Sequence, residues 1–223
     1  MAFKSIKGIT KMNKKYKYTT YSAGAIEHVS NKEMKTWRQE VTEKLSSPDL
    51  LMYDPVVQES FKVGKPSGEQ VEYIKGLKQG GHWTKFKEEM TKIWWGTINP
   101  RADLIDLFKE LQARASIDGN TAEEMVNWGD YEAVARSNFI VVYLPKDTKT
   151  VGTIYEVMLA FLLHIPIYLI LPDSSKTECN SSLLYGVVIS EGEVFYSIHD
   201  CTKYIREKYM LSETPKVEEK PKE

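Results

Sequence analysis

The segment from Asp130 to Met158 constrains the fold of this chain most strongly, because helix, strand, turn and helix follow one another within it. Residues 139–144 form a short apolar run that predicts a buried strand. A polar turn follows, and then an apolar helix is predicted over 152–163. This order favours a parallel α/β sheet, in which helices begin at the carboxyl edge of the strands. Asp130 and Glu156 are therefore both expected at that edge, where open sheets bind ligands.

Strands and helices alternate along most of the rest of the chain. We predict strands at 16–22, 50–53, 139–144, 167–171 and 194–196, and helices at 32–45, 82–95, 102–115, 130–137, 152–163 and about 200–209. The apolar segment 185–189 lies between the last two strands. The pattern predicts an α/β fold, flavodoxin-like or Rossmann-like and doubly wound, with a mostly parallel five-stranded sheet.

The domain organisation follows from where this alternation is interrupted. Residues 1–15 are rich in lysine and are expected to be a flexible basic terminus, and 212–223 are charged, contain proline and are expected to be disordered. Residues 16–211 are expected to form one domain with a helical insertion at about 56–128. Its tryptophans, Trp83, Trp94 and Trp95, have the spacing of core residues, and stacking on a base is the alternative.

Composition and charge exclude several classes of function. The formal net charge is −1, so there is no global electrostatic attraction for nucleic acid or an anionic membrane. Cys179 and Cys201 have no metal-ligand spacing around them and indicate a reducing compartment. The longest apolar run, 157–172, is too short and too interrupted to span a bilayer, and no signal peptide is visible. A cytoplasmic protein without a metal or other cofactor is expected.

Each candidate polar residue also has an ordinary structural explanation. Asp130 can cap the helix that it begins, as Asn31 can for 32–45. Glu156 is expected in the first turn of its helix, where the helix dipole stabilises an anion, and a carboxylate there can attack a sugar carbon. Thr150, Gly152 and Thr153 fit either a turn or a phosphate contact.

Three motifs, taken in order, resemble the nucleoside 2-deoxyribosyltransferase superfamily. They are Tyr21-Ser-Ala-Gly24-Ala25-Ile26, Asp130 ahead of the buried strand, and Gly152-Thr-Ile-Tyr-Glu156. The resemblance covers roughly 16–55 and 129–200 and leaves the insertion outside. It implies that Glu156 is the nucleophile at C1′, that Asp130 assists departure of the base, and that Tyr21 lies near both. It also implies substrate contacts from Gly24, Ala25, Ile26, Asp54, Thr150, Gly152 and Thr153.

Within that superfamily the chain looks closer to the nucleoside 5′-monophosphate N-glycosidases. Free-nucleoside transferases usually carry an aspartate where this chain has Thr150, and the hydrolases carry a hydroxyl residue there. Ser181 and Ser182, ahead of an apolar stretch, resemble the hydrolases' phosphate-binding serine, which reaches across a subunit interface and implies a homodimer. Ala25 and Glu27 stand where the hydrolase pattern has a serine and an arginine, and His28 is the candidate replacement cation.

The expected function is hydrolysis of the N-glycosidic bond of a nucleoside or deoxynucleoside 5′-monophosphate. The alternatives are a transferase that exchanges bases on free deoxynucleosides and a nucleotide sensor without turnover. The NAD hydrolases of the TIR type, which also place a glutamate on a related fold, are a more distant alternative.

Overall fold

A computed structural model describes residues 14–27, 29–148, 150–172 and 179–213. Most of the predicted basic terminus and of the predicted C-terminal tail lies outside the described residues, as does His28. Lys15, the last residue of that terminus, forms an isolated antiparallel bridge with Thr121. No described helix is long and apolar enough to cross a membrane.

Five parallel strands form one sheet. They are β1 (Tyr18–Gly24), β2 (Leu50–Tyr53), β3 (Phe139–Tyr143), β4 (Ile167–Ile170) and β5 (Glu193–Phe195), in the order β2-β1-β3-β4-β5. This order is that of a flavodoxin-like doubly wound sheet and confirms the predicted fold class. The order reverses between β1 and β3, so a crevice is expected beyond their carboxyl ends.

The helices cover both faces of the sheet and its carboxyl edge. They are α1 (Asn31–Leu45), α2 (Pro55–Val63), α3 (Glu69–Gln79), α4 (Trp83–Trp95), α5 (Leu104–Ala115), α6 (Ala122–Met125), α7 (Asp130–Ala135), α8 (Val151–Leu162), α9 (Ser181–Ile189) and α10 (Ile198–Lys208). One core lies between the sheet and α1 and α10, around Val41 and Ile205. The other lies between the sheet and α7, α8 and α9, around Val134, Val157 and Val187.

The cap predicted at the start of α1 is wrong by one residue. Ser30 has extended backbone angles, and its hydroxyl accepts the amide of Glu33, whose side chain returns to the Ser30 amide. Asn31 is therefore the first helical residue. The apolar segment 185–189 is the second half of α9.

The insertion packs its helix α4 directly onto the start of α7. A Cβ atom built on Gly129 would lie 2.4 Å from the amide nitrogen of Gly96 and from the carbonyl carbon of Trp95. Only glycine permits this backbone contact. It places the end of α4 beside Asp130, and so the insertion forms part of the carboxyl-edge crevice.

A buried charge cluster fixes α7 from the other side. The Glu132 carboxylate accepts hydrogen bonds from Arg114 at 2.7 Å, from Arg136 at 3.0 Å and from the Thr97 hydroxyl at 2.9 Å. These donors come from α5, from the residue that follows α7 and from the loop after α4. Because the charge of Glu132 is compensated within the cluster, α7 and the neighbouring Asp130 are held in one position.

Candidate active site

A cavity of about 390 Å³ opens at the carboxyl edge of the sheet, and we call it the acidic cavity. Its floor is formed by residues after β1 and at the starts of α7 and α8, and its wall by α2, α3 and α4. Its lining residues are Gly24, Ile26, Glu27, Glu59, Gln70, Val71, Ile74, Lys75, Met90, Ile93, Trp94, Asp130, Thr150, Val151, Gly152, Thr153 and Glu156. The volume lies within the range of small-molecule sites.

Glu156 reaches the cavity from the second turn of α8. Thr150 caps this helix, and Val151 is its first residue, so the expected position of Glu156 in the first turn is wrong. The helix dipole acts mainly within the first turn and gives this carboxyl little support. Instead, the hydroxyl of Tyr21, in the middle of β1, donates a hydrogen bond to Glu156 Oε1 at 2.6 Å.

Asp130 faces the same cavity from the first residue of α7. The predicted capping role is wrong, because the N-cap is Gly129 and no side chain caps this helix. The Asp130 carboxyl is therefore not used by the backbone of its own helix. It accepts a hydrogen bond from the hydroxyl of Tyr53, at the end of β2, with 3.1 Å between the two oxygens.

The two tyrosines that hold these carboxyls are partners in the sheet. Tyr21 and Tyr53 are paired in the register of β1 and β2, and their rings stack with centroids 5.4 Å apart. Both side chains are fully buried. Because parallel register partners point to the same face of a sheet, the two hydroxyls reach the same side of the crevice.

The environment separates the pKa values of the two carboxyls. Burial, with the neighbouring Asp130 adding to it, raises the pKa of Glu156 to about 8, against the effects of Tyr21 and Arg38. Burial also raises the pKa of Asp130, but only to about 6, since Lys62, the Tyr53 hydrogen bond and Arg38 oppose it. At neutral pH the pair therefore holds one proton, mainly on Glu156, and such separated values are typical of acid–base pairs in active sites.

The structure brings together most of the residues predicted to contact substrate. Gly24, Ile26, Thr150, Gly152 and Thr153 line the acidic cavity with Glu156 and Asp130. The Thr150 and Thr153 hydroxyls lie 2.5 Å apart.

Four predicted contact residues lie elsewhere. Ala25 lines a second groove, which lies beside α1. Asp54 caps α2 and lies 3.6 Å from Arg38. Ser181 and Ser182 begin α9, are exposed and do not line the cavity of their own chain.

Apart from Trp94, for which stacking on a base was the predicted alternative, sequence patterns did not indicate the residues that the insertion adds to the site. Val71, Ile74, Met90 and Ile93 supply an apolar wall, and Trp94 lies against Gly152, where an added Cβ would be 3.2 Å from its ring. Of the three tryptophans, Trp94 alone lines the cavity, Trp83 is exposed, and Trp95 packs on Tyr131.

Glu59 is a third buried carboxyl in the cavity. A signal for it existed: α2 begins directly after β2, so its first two turns must lie at the carboxyl edge. Within the described ranges, no group of three or more His, Cys, Asp or Glu side chains could hold a metal ion.

Comparison with known proteins identifies no family for this chain. No protein-family model matches this chain, and no curated protein matches it. A solved structure of a conserved protein from Enterococcus faecalis is similar, with a TM-score of 0.44 and 15% sequence identity, over 86% of this chain and 98% of that one.

We predict that Glu156→Gln makes the protein more stable at high pH. The folded state raises the carboxyl pKa from 4.5 to about 8, so between these values the native state holds a proton that the unfolded chain gives up. Native stability therefore falls as pH rises through this window, and glutamine removes the effect. Urea unfolding should show the variant more stable by on the order of 2–5 kcal/mol at pH 9, and little changed below pH 4.5.

The matched control is Glu193→Gln, at an exposed position on β5. It makes the same chemical change where the side chain is open to solvent. A Glu156→Gln stability difference that is the same at pH 4.5 and at pH 9 would mean that this carboxyl is not held in its neutral form by burial.

Proposed function

We propose that this chain hydrolyses the N-glycosidic bond of a nucleoside or deoxynucleoside 5′-monophosphate, releasing free base and sugar phosphate. The observation that carries the proposal is the pair of buried carboxyls, Asp130 and Glu156, in one cavity, each hydrogen-bonded by its own tyrosine. Two carboxyl groups flanking the scissile bond are the basic equipment of glycoside cleavage.

The shared proton suits a mechanism with a covalent intermediate. The pKa order places this proton on Glu156 in the free site, so the reacting form is the one in which the proton has moved to Asp130. Glu156 then attacks C1′ while Asp130 protonates the departing base. In this form the Tyr21 hydroxyl stabilises the nucleophile, because it donates to the Glu156 anion. The Asp130 carboxylate then takes a proton from water, which attacks C1′ and frees Glu156.

The remaining lining suits the two ends of a nucleotide. Trp94 and the aliphatic side chains of α3 and α4 offer an apolar wall to the base. Thr150 and Thr153 at the start of α8 offer hydroxyls and backbone amides to a phosphate. Lys75 also lines the cavity, and the charge of Glu27, which lines it too, is offset by an ion pair with Lys78.

Glu156→Ala should abolish base release while nucleotide binding stays measurable, because it removes the nucleophile and leaves the walls of the cavity intact. Loss of a nucleophile lowers kcat by several orders of magnitude. Base release is followed by chromatography and binding by calorimetry. Turnover at the unsubstituted rate in a folded Glu156→Ala protein would refute the mechanism.

Two other functions remain distinguishable by the products. A transferase would form a new nucleoside when a second base is added, whereas a hydrolase gives the same sugar phosphate with and without it. A nucleotide sensor would retain the nucleotide for hours without releasing base. A panel of nucleosides and their monophosphates, each incubated with and without an acceptor base, separates all three functions.

Thr150→Ala should weaken the use of a monophosphate more than that of the corresponding nucleoside. The substitution removes a hydroxyl at the phosphate end, and it also removes the cap of α8, which costs about 1 kcal/mol. Thr150→Ser keeps both functions and should retain activity. Thr148→Ala, outside the acidic cavity, is the control. Equal losses of kcat/KM on both substrates would favour the free-nucleoside transferase.

We further propose that the protein is a homodimer in the cytoplasm. Helices α8 and α9 lie side by side and expose one apolar face, formed by Val151, Ile154, Tyr155, Met158, Leu162, Tyr185, Val188 and Ile189. Exposed apolar patches of this kind mark interaction sites. Val151 belongs to this apolar face and also lines the cavity, so a second copy would cover the cavity rim.

The two cysteines are free, which suits a reducing compartment such as the cytoplasm.

Val188→Glu should convert the dimer to a monomer, since it places a charge on the apolar face at a side chain that is 72% exposed in one chain. Sedimentation velocity of the parent protein should give twice the chain mass of 25.6 kDa. Phe61→Glu, at an apolar side chain of α2 that is 69% exposed, should leave the dimer intact. A parent protein that is monomeric at micromolar concentration would contradict the proposal.

A further inference from the structure

The tyrosines that hydrogen-bond the two carboxyls of the site have different cations beside them. The Lys62 ammonium, on the last turn of α2, donates a hydrogen bond to the Tyr53 hydroxyl and lies 5.2 Å from the centre of the Tyr53 ring. Tyr53 in turn directs its single proton between Asp130 Oδ1 and the Trp128 carbonyl, each 3.1 Å away. A cation is thus connected to Asp130 through one buried hydroxyl.

The Tyr21–Glu156 pair is arranged differently. Arg38 is the buried cation on that side, and its two terminal nitrogens donate to the carbonyl oxygens of Met34 at 2.7 Å and Gly24 at 2.8 Å. These two nitrogens are therefore used by the backbone of α1 and β1, and the third, Nε, lies 3.6 Å from Asp54. Both carboxyls accept a hydrogen bond from a tyrosine of the sheet. The tyrosine bonded to Asp130, Tyr53, also accepts a hydrogen bond from Lys62 of α2.

We propose that Lys62 and Tyr53 are a positioning pair that orients the Asp130 carboxyl and stabilises its anionic form from outside the cavity. Neither residue lines the acidic cavity, so neither is placed to touch substrate. Lys62 is partly exposed, whereas Tyr53 is fully buried between the rings of Tyr21 and Trp128. The hydroxyl is consequently fixed, and the charge-assisted bond from Lys62 strengthens it as a donor.

The pair would act when Asp130 gives up its proton, and this part of the inference rests on the proposed N-glycosidase reaction. The C1′–N bond breaks, its electron pair stays with the base, and the Asp130 proton goes to the base nitrogen as Glu156 bonds to C1′. The Asp130 carboxylate formed in this step is the charge that Tyr53 and Lys62 stabilise. It then accepts a proton from the attacking water.

The other charges around Asp130 act in both directions. The groups that face it are Lys62 and Glu59 of α2, Arg38 of α1, Tyr21 of β1, Tyr53 of β2 and Glu156 of α8. Burial lowers the pKa of Lys62, while Asp130, Glu59 and Glu132 hold it up, so three carboxyls favour the ammonium form. Among the effects that lower the pKa of Asp130, that of Lys62 is the largest.

A purely structural role for Lys62 would be to satisfy the buried Tyr53 hydroxyl. That role predicts a change in stability only. A positioning role predicts a change in the titration of Asp130 and in kcat at nearly constant KM.

The test uses the full-length variants Lys62→Met, Lys62→Arg, Tyr53→Phe and the double variant Lys62→Met/Tyr53→Phe. We expect Lys62→Met and Tyr53→Phe each to lower kcat for base release by about tenfold or more, with KM changed by less than about threefold. Lys62→Arg should restore most of the activity. The double variant should lose no more than the worse single variant, because both residues act through the same hydroxyl. Losses that multiply, or an unchanged kcat in folded Lys62→Met, would overturn the proposal.

A second measurement does not depend on turnover. Carbon-13 carboxyl NMR of the ligand-free protein, assigned with Asp130→Asn, should show the Asp130 titration moved upward by about one pH unit in Lys62→Met and by less in Lys62→Arg. If the parent protein releases base from no nucleotide, the proposed function fails and this titration alone decides the positioning role. An Asp130 titration that is unchanged in folded Lys62→Met would refute the role.

Discussion

The stacking of Tyr21 on Tyr53 across strands β1 and β2 is the contact on which the candidate site depends. Each ring carries a hydroxyl to a different carboxyl, and the register of the two strands sets where both hydroxyls lie. Because the strands are held by backbone hydrogen bonds, neither carboxyl relies on a flexible loop for its orientation. The orientation of the Asp130 and Glu156 carboxyls therefore depends on the sheet.

Two acids buried in one cavity work against the stability of the fold. Burial opposes the ionised form of both, and each raises the cost of ionising the other. The surrounding structure offsets this with tyrosine hydrogen bonds and with the cations Lys62 and Arg38. Functional sites in other proteins also retain buried groups that lower stability, because their activity requires these groups. Glu132, on the same helix as Asp130, is the contrasting case. It is a buried carboxylate whose charge is compensated by two arginines.

Much of this architecture was predictable because the core strands are short apolar runs between turn residues. The order of strands and helices was sufficient for the fold class, and Leu50–Tyr53 was predicted with its observed bounds. The motifs also selected Glu156, Asp130, Thr150 and Gly152, and all four line one cavity in the structure. The helix starts were less predictable: Ser30 rather than Asn31 caps α1, and Gly129 rather than Asp130 caps α7, since capping depends on backbone angles that neighbouring polar residues do not reveal.

The sequence by itself determined the alternation of strands and helices, and with it the edge of the sheet where Asp130 and Glu156 had to meet, because periodicity and turn residues act locally. Only the tertiary structure decided what surrounds them. The contact between Gly96 and Gly129 brings α4 and Trp94 over the crevice, and α2 brings Glu59 to the cavity and Lys62 to the tyrosine behind Asp130. These contacts join residues far apart in the chain, and their consequence, the separation of the two carboxyl pKa values, arises from burial and from distances that no local pattern encodes.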